Sequence, residues 1–400
     1  MKRIFSGIRV LEFTTAIAGP VAAALLADQG AEVIKIEKRG SGDEMRLADP
    51  FVDGESLTFM WANRGKKSMV LPLDTPEGLR LAKELIKTAD VILENFRPGV
   101  MKKYGLDYEG AAALKPDIVY CSVSAFGQTG PYRKEAGYDY IAQAMSGIMD
   151  MTGDPDRPPA VIGTLLGDYT AACNAFGAIA AALYHRERTG EGNYIDLSLV
   201  EALTCINHNI EPCGAGAERS RCGHHASGAA PFGLYNGNNG EGLMICAHTP
   251  KHFRLLCLTM GRPDLLEDPR MATRKSRFEN LPMLVEAVES YLKTFPSVDE
   301  PMRLLREAGV PVTKAITTPQ VLTDPHFNER GIITDIPVTS TVHSIKSFKG
   351  RGIYMKFSNT PGEIGTPPAL GEHNSDILRE LGLNEEEIQT LNSQWLEDPS

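Results

Sequence analysis

Between Ile8 and Glu37 the chain reads as a strand, a helix and a second strand, and few folds accept that order. Ile8-Arg-Val-Leu-Glu-Phe13 has strand character, Val21 to Asp28 is an Ala/Leu-rich helical stretch, and Glu32-Val-Ile-Lys-Ile-Glu37 follows Gly30 as a second strand. Together they form a βαβ unit of about 30 residues, the opening of a Rossmann-like sheet. The connecting turn, Thr14-Thr-Ala-Ile-Ala-Gly-Pro20, has a single glycine and no GxGxxG, so a dinucleotide pyrophosphate lacks its usual cradle. NAD and FAD are therefore poor candidates.

The pattern continues. Asp74-Thr-Pro-Glu opens a helix with Leu79, Ala82, Leu85 and Ile86 on one face, and strands are expected at 91–95, 117–123 and 193–199. The strand at 117–123 runs into Ser124-Ala-Phe-Gly-Gln-Thr-Gly-Pro131, a glycine-punctuated loop where open α/β sheets bind ligands. A helix from Asp168 to His185 carries small residues at Ala171, Ala175, Ala178 and Ala182, with a bulkier face at Phe176, Ile179 and Leu183, which suits neighbours on several sides. Beyond about residue 206 the α/β alternation fades. Expected domains are a large Rossmann-like domain over 1–210, a linker or mobile loop over 211–230, a smaller α+β domain over 231–330, and a C-terminal return over 331–400. Four hundred residues exceed one ordinary core, which agrees with a second lobe.

Composition narrows the function classes. The net charge of −10 argues against nucleic acid or an anionic membrane as partner, and no apolar run approaches the roughly 18 residues of a membrane span. A cytoplasmic location is the default expectation. The seven cysteines are scattered without a CxxC pair, and Cys222-Gly-His-His225 matches no zinc spacing, so no metal is expected.

An anionic ligand must therefore meet local positive charge. Such clusters follow strand ends at Lys38-Arg39, Arg64-Gly-Lys66-Lys67, Arg97 and Lys102-Lys103, where each is either a phosphate contact or a solvated face. With no GxSxG and no catalytic cysteine signature, carboxylates are the candidate nucleophiles. Asp168, after a glycine at the start of the small-residue helix, is either an N-cap or a carboxylate kept ionised by helix N–H groups in a dry cleft. Asp139, ahead of an expected helix at 141–148, has the same two readings.

Many short motifs, in order, resemble those of the family III CoA transferases, the group of formyl-CoA and carnitine CoA transferases. They include Gly7-Ile-Arg-Val-Leu-Glu-Phe13, Ala18-Gly-Pro20, Gly30-Ala-Glu-Val-Ile-Lys-Ile-Glu37, Gly40-Ser-Gly-Asp43, Glu94-Asn-Phe-Arg-Pro-Gly99, Gly127-Gln-Thr-Gly-Pro131, Tyr138-Asp139, Gly167-Asp168 and Leu370-Gly-Glu-His373. The resemblance implies a homodimer of interlocked rings, with no permanently bound cofactor and with coenzyme A or acyl-CoA as substrate beside a small carboxylic acid. It implies Asp168 as the catalytic aspartate, Asp139 as an acid near the active site, and CoA contacts at Lys38, Arg39, Arg97, Lys103, Ala18, Asn95, Phe96 and Tyr138. Cys213-Gly-Ala-Gly-Ala departs from the continuous glycine run of formyl-CoA transferases, which speaks against formate or oxalate. The α-methylacyl-CoA racemases share the fold but use a histidine where this chain has Tyr138, a poor base near neutral pH. A nicotinamide oxidoreductase lacks its glycine fingerprint, and a non-catalytic CoA-binding protein leaves Gly167-Asp168 unexplained.

Overall fold

The computed structural model describes residues 2–218, 221–338 and 345–396. Two compact units divide the chain: residues 1–146, 163–206 and 322–400 form one, and 147–162 with 207–321 the other.

In the first unit, β1 (Arg9–Phe13), α1 (Ala18–Asp28) and β2 (Glu32–Glu37) realise the opening βαβ motif. They are followed by β3 (Lys67–Val70), α2 (Pro76–Thr88), β4 (Val91–Glu94) and β5 (Val119–Ser124), then α3 (Asp139–Met145), α4 (Leu166–Thr189) and β6 (Asn193–Ser198). All six strands pair in parallel in the order β3-β2-β1-β4-β5-β6. The order reverses between β1 and β4, so the chain leaves their carboxyl ends in opposite directions and opens a crevice there.

Side-chain alternation along each strand builds the layers. Leu11 and Phe13 face a core that includes Ile34, Ile36, Met69, Leu85, Ile92 and Tyr120, covered by α2 and by the C-terminal helices Asn374–Glu380 and Glu385–Leu396. The C-terminal return is tied to the edge strand by Asn374, whose side chain accepts from Val70 N (2.8 Å) and donates to Val70 O (3.1 Å). All of α1 is buried, and it packs on α4; small side chains allow both. Even Asp28 at the end of α1 is buried, held by Arg64 at 3.1 and 2.5 Å. On α4, Ala171, Ala175, Ile179 and Ala182 are buried while Cys173, Gly177 and Ala181 are exposed, so this chain alone covers only part of the helix expected to be central.

The second unit has a three-stranded antiparallel sheet, with Gly242–Cys246 between Phe232–Asn236 and Val312–Lys314. Helices Pro250–Thr259, Leu281–Leu292 and Asp299–Glu307 pack on it around Tyr235, Leu243, Ile245, Leu256 and Leu284. Residues 211–230, expected as a linker or mobile loop, fall within this unit. The helix Ile210–Gly214 lies at their start, and Arg221 donates to the carbonyls of Asp150, Asp154 and Arg157, which ties them to the 147–162 segment. Among the described residues, no helix is long and apolar enough to cross a membrane.

Candidate active site

The crevice at the strand-order reversal holds a cavity of about 270 Å³, entirely within the first unit. Thr15, Ala16 and Ala18 from the β1–α1 turn line it, with Asn95, Phe96, Arg97 and Pro98 after β4, Ser124 to Phe126 after β5, Gly137 and Tyr138 before α3, and Asp168 in α4. Three connections thus converge with the first turn of α4, as expected for loops leaving the carboxyl edge of a parallel sheet.

Asp168 is not an N-cap. Helix α4 starts at Leu166 after Leu165, which offers no side-chain cap, so Asp168 is the third residue of the first turn. The capping role falls to Asp139 instead. Its Oδ1 accepts from Gly167 N (2.5 Å) and Asp168 N (3.1 Å), while its Oδ2 accepts from Gln143 Nε2 (2.6 Å), which also donates to the Thr164 carbonyl (3.0 Å). Asp139 does not cap its own helix either; it is the first residue of α3, after Tyr138. Gly167 makes this approach possible, because a Cβ there would lie 3.0 Å from Asp139 Oδ1 and 3.2 Å from Leu203 Cδ1.

The consequence is electrostatic. Because Asp139 takes the helix N–H groups, the Asp168 side chain has no hydrogen-bond donor among the described residues and opens to the cavity. Burial and the neighbouring Asp139 carboxylate push its pKa up from 3.8 to about 7. This reverses the expectation that helix N–H groups keep Asp168 ionised. Near neutral pH the group is close to half ionised, in the range that suits a nucleophile which must also be displaced as a leaving group.

Lys38 and Arg39 line a second cavity of about 390 Å³ with Leu71 to Asp74, Val100 and Tyr104; Phe96 belongs to the lining of both cavities. Lys103 lines neither, its Nζ lying 5.7 Å from the Tyr104 ring centroid. The basic run Arg64-Gly-Lys66-Lys67 is not a phosphate site. Arg64 is committed to Asp28, Lys66 is buried 2.7 Å from Glu12 Oε2, and Lys67 pairs with Glu32 at 2.5 Å. Sequence reading missed Thr15 and Ala16, because their turn was weighed only for a glycine fingerprint. Gln143 stands in the family-like run Gln143-Ala-Met-Ser-Gly147, but its role in holding Asp139 was not read from it.

Residues 5–374 match CoA-transferase family III. The succinyl-CoA–D-citramalate CoA-transferase of Chloroflexus aurantiacus is 37% identical, with 97% of each chain covered. The acetyl-CoA:oxalate CoA-transferase of Acetobacter aceti is 37% identical over 95% of this chain and 96% of its own. A CAIB/BAIF family protein from Brucella suis has a solved structure that superposes with a TM-score of 0.83 at 34% identity, covering 95% of this chain and all of that one. The whole-length match in sequence and fold has one reading: the chain belongs to CoA-transferase family III.

Proposed function

We propose that the enzyme moves CoA from an acyl-CoA donor to a free carboxylic acid through covalent intermediates on Asp168. The observation that carries this reading is Asp168 itself, a donor-free carboxylate with a pKa of about 7 on the wall of the switch-point cavity. The Rossmann-like description is supported by the all-parallel strand order.

An Asp168 oxygen attacks the donor thioester carbon, the C–S bond breaks, and CoA thiolate leaves a mixed anhydride. The thiolate then attacks the Asp168 acyl carbon, releasing the donor acid and leaving an aspartyl-CoA thioester. The acceptor carboxylate attacks that thioester and displaces the thiolate, which finally takes the acceptor acyl group and frees Asp168. No net proton is consumed. Each tetrahedral step builds an oxyanion, for which backbone N–H groups of the surrounding turns are suited. Lys38 and Arg39 would hold the phosphate-bearing end of CoA in the second cavity, keeping the thiolate close between steps. Lys103 sits beside that cavity wall through Tyr104, and Ala18, Asn95, Phe96, Arg97 and Tyr138 would contact the thioester arm.

A short dicarboxylic acid fits best as acceptor. Relatives are named for citramalate and for oxalate, so the missing glycine run is no argument against a dicarboxylic acceptor, and Arg133 lines the cavity as a partner for a second carboxylate. The reading includes a cytoplasmic homodimer; exposed apolar side chains on α3, Tyr140, Ile141 and Met145, support a partner surface. Incubation with acyl-CoA followed by borohydride or hydroxylamine should modify Asp168. Full transfer by Asp168→Ala would overturn the mechanism, and α-proton exchange without transfer would favour a racemase.

A further inference from the structure

We propose that Lys35 is a positioning residue for the reaction: acting through Asp43, it holds the Thr14–Ile17 loop in the shape that walls the Asp168 cavity. The proposal rests on the reading that chemistry takes place at Asp168.

Lys35 lies in β2 and is completely buried, a costly place for an ammonium group. Its Nζ sits 2.8 Å from Asp43 Oδ2 and 3.1 Å from Glu12 Oε1, and it donates to the Thr14 carbonyl at 2.9 Å. The ammonium group thus donates to Glu12 and to Thr14 while pairing in charge with Asp43. The other Asp43 oxygen accepts from Ala16 N (3.2 Å) and from Met45 N (2.9 Å). From the opposite side Asn95 grips Thr15, accepting from its N–H at 2.9 Å and donating to its carbonyl at 2.7 Å.

The grip has something to resist. Ala16 has φ of 63°, in the left-handed region that a residue with a Cβ disfavours. Such a conformation persists only where its surroundings over-determine it, and such strain clusters at functional sites. Here the surroundings are the Lys35–Asp43 pair beneath the loop and Asn95 beside it, while Thr15 and Ala16 face the cavity that holds Asp168. Buried ion pairs are often no better for stability than apolar packing. Holding one backbone shape is a role that apolar side chains at these positions would not fill.

The test uses Lys35→Met and Asp43→Asn in the full-length enzyme, each alone and combined with Ala16→Gly. Folding is followed by circular dichroism and thermal unfolding, turnover by kcat and donor KM, and covalent chemistry by borohydride labelling of Asp168, with the unsubstituted enzyme in parallel. The expected result is folded single variants whose kcat falls up to about 100-fold, as for an ångström-scale misplacement. Donor KM should change less than about threefold, since the nucleotide end binds elsewhere. Ala16→Gly should restore about tenfold in kcat, because glycine enters the left-handed region without that penalty. Retained kcat in Lys35→Met, a loss matching the unfolded fraction, no recovery on adding Ala16→Gly, or unfolding of both single variants would each overturn the proposal. Absent label in the unsubstituted enzyme would defeat the Asp168 reading itself. Normal label there with an undiminished rate in Lys35→Met would defeat only this inference.

Discussion

Asp168→Asn should make the protein more stable while abolishing transfer, and the gain should depend on pH in a defined window. In the folded enzyme burial and Asp139 raise the Asp168 pKa to about 7, against 3.8 for the unfolded chain. Between those values the unfolded state has released the proton and the folded state retains it, so stability falls as pH rises. The stabilising difference is complete below about pH 4 and gone above about 7. Three pKa units correspond to about 4 kcal/mol, and roughly half of that survives if cavity water screens the partly open side chain. Asparagine, of the same shape and never charged, escapes this loss. Urea unfolding of both proteins from pH 4 to pH 9 should show near-equal stability at the acid end, a gap that widens up to about pH 7, and a plateau of roughly 2–4 kcal/mol beyond. A gap independent of pH would refute the claim that burial and Asp139 raise the Asp168 pKa, whatever happens to activity.

Three further outcomes follow from the same geometry. Asp139→Asn removes the charge beside Asp168, so the acid limb of the kcat/KM profile should move to lower pH, toward the ordinary carboxylate range; an unmoved limb would leave burial as the sole cause. Lys38→Ala and Arg39→Ala should each raise donor KM about tenfold with little change in kcat, an effect that should vanish for a pantetheine thioester lacking the nucleotide; equal effects on both donors would remove these residues from the phosphate end. Arg64→Met should cost about 3–5 kcal/mol in denaturant unfolding by leaving the buried Asp28 carboxylate unpaired, and a change below about 1 kcal/mol would show that Asp28 finds another partner.

Where local pattern decided the outcome, the sequence was readable. The β1–α1–β2 unit, the proline at the first position of α2 and the small-residue run of α4 emerge within a residue or two of their expected places for α2, and a few residues wide for α1 and α4. These elements follow from periodicity, which neighbouring residues carry by themselves. Side-chain electrostatics were not readable in that way. Arg64, Lys66 and Lys67 form a basic run in sequence, yet each meets a carboxylate from α1, β1 or β2 once the sheet assembles, leaving no free cluster. By local pattern alone Asp139 and Asp168 looked alike, two acids near two helix starts, and the family resemblance was what set Asp168 apart. The difference lies in which helix each one serves: Asp139 reaches across to the first turn of α4, and Gly167 leaves the space for it. Asp168, three residues into that turn, is left with burial, a neighbouring carboxylate and an open cavity. The proposed nucleophile thus owes its surroundings to what the other aspartate takes away, a relation between residues that no spacing along the chain records.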